Sequence, residues 1–131
     1  MSIETEKDLF DWLKLKVTDL QASKDKFSFW DCYSESLKCR IELKCRRKHY
    51  NTLLIEKKKY DAMIDKCKQG ETPVYLNSTP KGIYGWNLRN VSIEWEVNQL
   101  NPATTDFERN KKVKKEVGYL NIKQAKQYER F

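Results

Sequence analysis

The chain has 131 residues, of which 39% are hydrophobic, 12% aromatic and 34% charged, with a net charge of +7. That describes one domain, spanning 1–131, with a modest core and a densely charged surface, and four Trp and seven Tyr argue against wholesale disorder. No apolar run approaches the length of a membrane span, and the opening "MSIETEKDLFDW" is acidic and amphipathic, unlike a signal peptide. An intracellular, cytoplasmic protein is therefore expected, for which the sequons at Asn77 and Asn90 carry no meaning.

Residues 3 to about 17 read as a helix, with Glu6, Leu9, Phe10, Leu13, Val17 and Leu20 on one side at three- and four-residue steps. Glu6 is a carboxylate in line with this apolar stripe, while Glu4 lies off it. Glu6 can be a first-turn acid favoured by the helix dipole, or an acid aimed at a site. After the polar loop "QASKDK", the aromatic segment "FSFWDCYS" at 27–34 reads as a strand in which Phe27, Phe29, Asp31 and Tyr33 share a face. An acid there is costly if buried without a partner.

The segment "RIELKCRR" alternates: Cys39, Ile41, Leu43 and Cys45 have one parity, and Arg40, Glu42, Lys44 and Arg46 the other. Successive side chains of a strand point to opposite faces, so this strand has an apolar face and a charged one. With "ESLK" as the turn, it forms a hairpin with the strand before it. Residues 52–69 read as a second helix with Leu53, Glu56, Tyr60, Met63, Ile64 and Cys67 inward and Gly70 as its stop. "TPVYLNS" and "GIYGWNL" are strands joined by the turn "TPKG". "VSIEWEV" at 91–97 is a further strand with Val91, Ile93, Trp95 and Val97 inward. Strands grouped between helices give an α+β fold with an α/β-type core, a mixed central β-sheet flanked by helices.

From residue 109 to the end, eight Lys and Arg oppose only Glu116 and Glu129, a net +6. This basic C-terminal segment, 109–131, suggests a polyanion partner, most simply nucleic acid. The alternative is a solvated charged tail. Within it, the apolar patch "VGYLNI" either docks the segment onto the sheet or is buried in a dimer. The four cysteines form no C-x-x-C pair and His49 is the only histidine, so a structural zinc site is not expected; the cysteines read as small buried apolar residues.

A hairpin brings Asp31 within reach of Glu42, with Lys44 two residues on. Two carboxylates on adjacent strands form a hard, oxygen-rich site for Mg²⁺ or Mn²⁺, and the ammonium beside them can stabilise developing negative charge on a phosphate. The plain alternative is a cross-strand charge network.

Asp31 followed by Glu42-Leu43-Lys44, with a helix before and a helix after, resembles the PD-(D/E)xK nuclease superfamily, whose fold is restriction-endonuclease-like. The resemblance covers roughly residues 3–88; Trp30 stands where the pattern has proline. It implies a divalent-metal-dependent nuclease with Asp31, Glu42 and Lys44 as catalytic residues. It also implies an acid on the first helix facing the site, Glu6 or else Glu4, as a further metal ligand beside Asp31 and Glu42. It places Glu56 and Tyr60, at Q-x-x-x-Y spacing with glutamate for glutamine, on the helix after the motif; they can equally be a core tyrosine and a surface acid.

Junction-resolving members are small and dimeric, so DNA, branched DNA in particular, and a homodimer are the implied partners. The size and lysine content suit a phage-like gene product acting in a host cytoplasm. Arg46, Arg47, Lys111, Lys112, Lys114 and Lys115 are the expected nucleic-acid contacts. The competing expectation is a non-catalytic nucleic-acid-binding, regulatory or inhibitor protein on the same scaffold.

Overall fold

A computed structural model describes residues 3–24, 29–100 and 113–131. The first helix, α1 (Glu6–Lys16), starts at a capping box. Thr5 Oγ1 accepts from the Asp8 N–H at 3.1 Å, and Asp8 Oδ2 accepts in return from the Thr5 N–H at 3.1 Å, satisfying two N–H groups that a helix start leaves without partners. At the other end Lys14 donates to the carbonyls of Thr18 and Leu20. The face that α1 buries is set by Leu9 and Trp12, with Phe10, Leu13 and Val17 half-buried and Glu6 exposed. The expected inner stripe thus shifts to include Trp12 and to lose Glu6.

A six-stranded sheet forms the centre, in the order β1 (Gln21–Ala22), β2 (Cys32–Ser34), β3 (Cys39–Cys45), β5 (Thr72–Thr79), β6 (Gly82–Asn87) and β9 (Lys126–Arg130). The β3–β5 pair is parallel and every other pair antiparallel, so the sheet is mixed. The expected β2–β3 hairpin is present, closed where Asp19 accepts from Ser34 Oγ at 2.7 Å and from the Ser36 N–H at 2.8 Å. The regular strand β2 is shorter than the expected 27–34: Phe29 and Trp30 are bends, and Phe27 lies outside the described residues.

Residues expected at the start of the second helix are a strand instead, β4 (Thr52–Glu56), and the helix α2 is Lys57–Lys66. Leu53 and Ile55 are buried at alternate positions, a period-two pattern hidden inside a helix-like stripe. The partner of β4 comes from far along the chain: β8 (Val113–Asn121) pairs with it and with β7 (Glu96–Leu100), making a second, three-stranded antiparallel sheet. The basic C-terminal segment is therefore built into both sheets, with Val117 and Leu120 buried and a short 3-10 turn (Ile122–Gln124) leading into β9. Residues 91–95 are not strand; Val91, Ile93 and Trp95 pack inward as expected, but Val97 is 63% exposed. A Cβ at Gly118 would run into Ile93 and Trp95, so glycine lets this segment lie against β8.

Two cores sit on opposite faces of the six-stranded sheet. On one, α1 covers Ile41, Leu43, Leu76 and Ile83. On the other, α2 and the three-stranded sheet cover Tyr75, Tyr84 and Trp86 through Leu53, Ile55, Met63 and Leu120. Strand parity places Glu42 and Lys44 on this second face.

Among the described residues no helix is long and apolar enough to cross a membrane. All four cysteines are free, Cys32 and Cys67 buried and the other two half-buried. Burial, helped by the charges of Asp31 and Glu42, pushes the Cys32 thiol up to about 12, which suits a packing residue rather than a nucleophile.

Candidate metal centre

The antiparallel register pairs Cys32, the first residue of β2, with Ile41, which brings Asp31, just before the strand, beside Glu42. Asp31 is a bend rather than part of the regular strand; its N–H donates to Ile41 O at 2.9 Å, and its Oδ2 accepts from the Leu43 N–H at 2.8 Å. Asp31 is thus tied to β3 on both sides of Glu42, through its backbone at Ile41 and its carboxylate at Leu43.

Glu42 itself is only 7% exposed, and its Oε1 is buried with no hydrogen-bond partner among the described residues. Burial, the neighbouring Asp31 charge and the close approach of the two side chains push its carboxyl up to about 7, against the pull of Lys59. Lys59, from α2, brings its Nζ to 3.3 Å from Glu42 Oε2.

Lys44 follows on the same face, half-buried and without an ion pair or hydrogen bond among the described residues. Glu42, Lys44, Lys59, Glu56, Lys115 and Tyr75 line one cleft of about 380 Å³ between the large sheet and β4–α2. Its far wall is tied down by Arg46. That guanidinium donates to Asn77 Oδ1 at 3.0 Å, to Leu54 O at 2.6 Å and to the Tyr75 hydroxyl at 3.0 Å, linking β3 to β4 and β5.

Of the residues singled out in the sequence, the structure brings Asp31 beside Glu42, and Glu42 into one cleft with Lys44, Arg46 and Glu56. Glu56 caps α2 and accepts from Lys115 Nζ at 2.9 Å, so Lys115 is engaged within the protein.

Glu6 and Glu4 are not brought to the pair. Glu6 is exposed on α1, which packs on the opposite face of the sheet, and Glu4 is exposed beside the capping box. Among the described residues no third His, Cys, Asp or Glu joins Asp31 and Glu42 as a metal-holding group. Tyr60 stacks on Trp95, with ring centroids 5.2 Å apart, inside the second core. Arg47 and Lys114 are exposed, and Lys111 and Lys112 lie outside the described residues.

Lys59 escaped the sequence reading because the run "KKKY" looks like a solvated helix flank. Its reach to Glu42 depends on α2 crossing the charged face of β3, which no local pattern states.

The donor set fits a divalent cation. Two carboxylates crowd together in a place where one oxygen is buried without a proton donor, an arrangement that is costly unless a proton or a cation is shared.

No protein-family model and no curated protein matches the chain in sequence. In structure it is similar to Hjc, a Holliday junction resolvase from the archaeal hyperthermophile Archaeoglobus fulgidus: TM-score 0.60 at 10% identity, over 94% of this chain and 91% of that one. The fold, a mixed sheet with two helices, is restriction-endonuclease-like, α+β.

Proposed function

We propose that this protein is a divalent-metal-dependent nuclease that hydrolyses phosphodiester bonds in DNA, with branched DNA as its substrate class. The observation that carries the reading is the Asp31–Glu42 pair with a buried, unpartnered oxygen, its Glu42 lining one cleft with Lys44. The likeness in fold to a Holliday junction resolvase supports the choice of branched DNA.

Asp31 and Glu42 are the residues that would hold Mg²⁺ or Mn²⁺, which when bound supplies Lewis-acid polarisation of a phosphate and a more acidic water. Lys44 offers its ammonium to the negative charge that grows on the phosphodiester oxygens, where a donor fixed in place is worth more than one that must reorganise. Arg46, bonded to three acceptors on neighbouring strands, holds β3 and β5 in register and so keeps Glu42 and Lys44 in fixed relation. Lys114 and Arg47, exposed, are available to the DNA backbone. One chain carries one such cleft among its described residues, so two symmetric cuts across a junction would take two copies.

The test is incubation with linear, closed circular, single-stranded and four-way branched DNA, with Mn²⁺, with Mg²⁺ and with a chelator. Branched DNA should be cut in either metal and spared in the chelator, and Lys44→Ala should slow cutting by about 100-fold or more. Tight binding of branched DNA without cleavage in any metal would instead favour the non-catalytic binding protein. Cleavage that survives in Lys44→Ala at full rate would refute the assignment of the site.

A further inference from the structure

Among the described residues, Lys59 is the one cation in the cleft that is paired with Glu42. Its Nζ lies 3.3 Å from Oε2, whereas its helix neighbour Lys57 is bound at 2.6 Å to Asp61 and Lys44 has no ion pair among the described residues. The Lys59 side chain is 34% exposed, so the ammonium reaches Glu42 from the open side of the cleft with a path back to water. The carboxylate it meets is nearly closed off, with its other oxygen buried and unpartnered. A cation entering the Asp31–Glu42 pair therefore meets a carboxylate whose Oε2 the Lys59 ammonium already holds, and the two positive charges repel across it.

We propose that Lys59 is a resident counter-ion for the metal centre: its ammonium occupies Glu42 in the metal-free protein and is displaced when a divalent cation binds. This rests on the reading of Asp31 and Glu42 as cation ligands. The pairing has two consequences. It keeps the buried carboxylate compensated when the centre is empty, since an unpaired buried charge is strongly destabilising. It also weakens the site for the metal by the attraction that must be given up. Lys59 is a positioning and competing group here, not a catalytic residue.

Titration calorimetry of the intact chain with MnCl₂ alone, at one fixed pH, tests this without reference to cleavage. Lys59→Met, which keeps the apolar stem and removes the charge, should bind Mn²⁺ about tenfold more tightly or better, tenfold being ~1.4 kcal/mol of lost competition. Lys59→Arg should stay near the wild-type affinity, and adding Asp31→Asn to Lys59→Met should abolish the gain. Equal or weaker Mn²⁺ binding by Lys59→Met overturns the counter-ion role while leaving the carboxylate site standing. If neither the wild type nor Lys59→Met binds Mn²⁺, the carboxylate site and the counter-ion role fail together. Should Lys59→Met not fold, a Lys59→Gln chain serves the same comparison, and equal affinity in it is equally fatal.

Discussion

Replacing Glu42 by glutamine should make the metal-free protein more stable at alkaline pH, and the size of the gain follows from the burial of the site. Glu42 is 7% exposed beside another carboxylate, and its carboxyl is pushed from an ordinary 4.5 up to about 7. The folded protein therefore holds this proton more tightly than the unfolded chain does. The corresponding stability is fully present below pH 4.5 and is lost as pH rises through 7.

Each tenfold change in proton affinity is worth ~1.4 kcal/mol, so between pH 4.5 and 8 the wild type gives up about 3 kcal/mol that a neutral glutamine keeps. Lys59 loses its partner in the variant, but with 34% of its side chain exposed it turns to water at little expense. Thermal unfolding in a chelator at pH 5 and pH 8 reads this directly. The wild type should lose on the order of 10 °C more than Glu42→Gln over that interval. Two melting curves that fall in parallel with pH would refute the buried-carboxylate account.

Three other substitutions probe the scaffold and the basic C-terminal segment. Arg46→Ala strips hydrogen bonds from Asn77, Leu54 and Tyr75 and should cost about 3 kcal/mol in urea denaturation; a loss under ~1 kcal/mol would show that the tie between the sheets is unimportant. Gly118→Ala forces a methyl against Ile93 and Trp95 and should cost about 1–3 kcal/mol by the same assay, with an unchanged midpoint as the contrary result. Replacing Lys111, Lys112 and Lys114 with alanine should weaken binding of every DNA sequence alike and flatten the slope of log K against log salt by up to about 0.9 per lost contact. Lys115 is spared in that variant because it is paired with Glu56, and an unchanged slope would assign the segment to the fold alone.

Local pattern was enough to show β3 and its neighbours, because strict alternation over "CRIELKC" sorts its side chains onto an apolar and a charged face, and the turn "ESLK" suits a hairpin; that the charged face is covered too, burying Glu42, the pattern did not say. From there Asp31, Glu42 and Lys44 could be placed together before any coordinates. What local pattern hid was pairing between distant segments. Leu53 and Ile55 belong to a strand because β8, more than sixty residues on, lies beside them; read alone, the stretch joins the apolar stripe of α2. The basic C-terminal residues looked like a tail for the same reason, since the partners of β8 and β9 are β4, β7 and β6. Glu6 sat in line with apolar residues, yet Trp12 takes the buried position and the acid stays at the helix start, where the dipole favours it. Tyr60 was legible only as a position on α2; its contact with Trp95 depends on how residues 91–95 cross the core.

The central claim is spatial: Asp31 and Glu42 form one cation site, on the carboxylate that lines the cleft with Lys44. A crystal soaked in MnCl₂ and measured at a wavelength with strong manganese anomalous scattering tests it most directly. The account predicts a peak bonded to oxygens of both Asp31 and Glu42, at the ~2.0–2.2 Å typical of small hard divalent cations, with Lys59 moved off Glu42. Manganese bound elsewhere, with the Lys59–Glu42 pair intact and no peak between the two carboxylates at saturating metal, would contradict it.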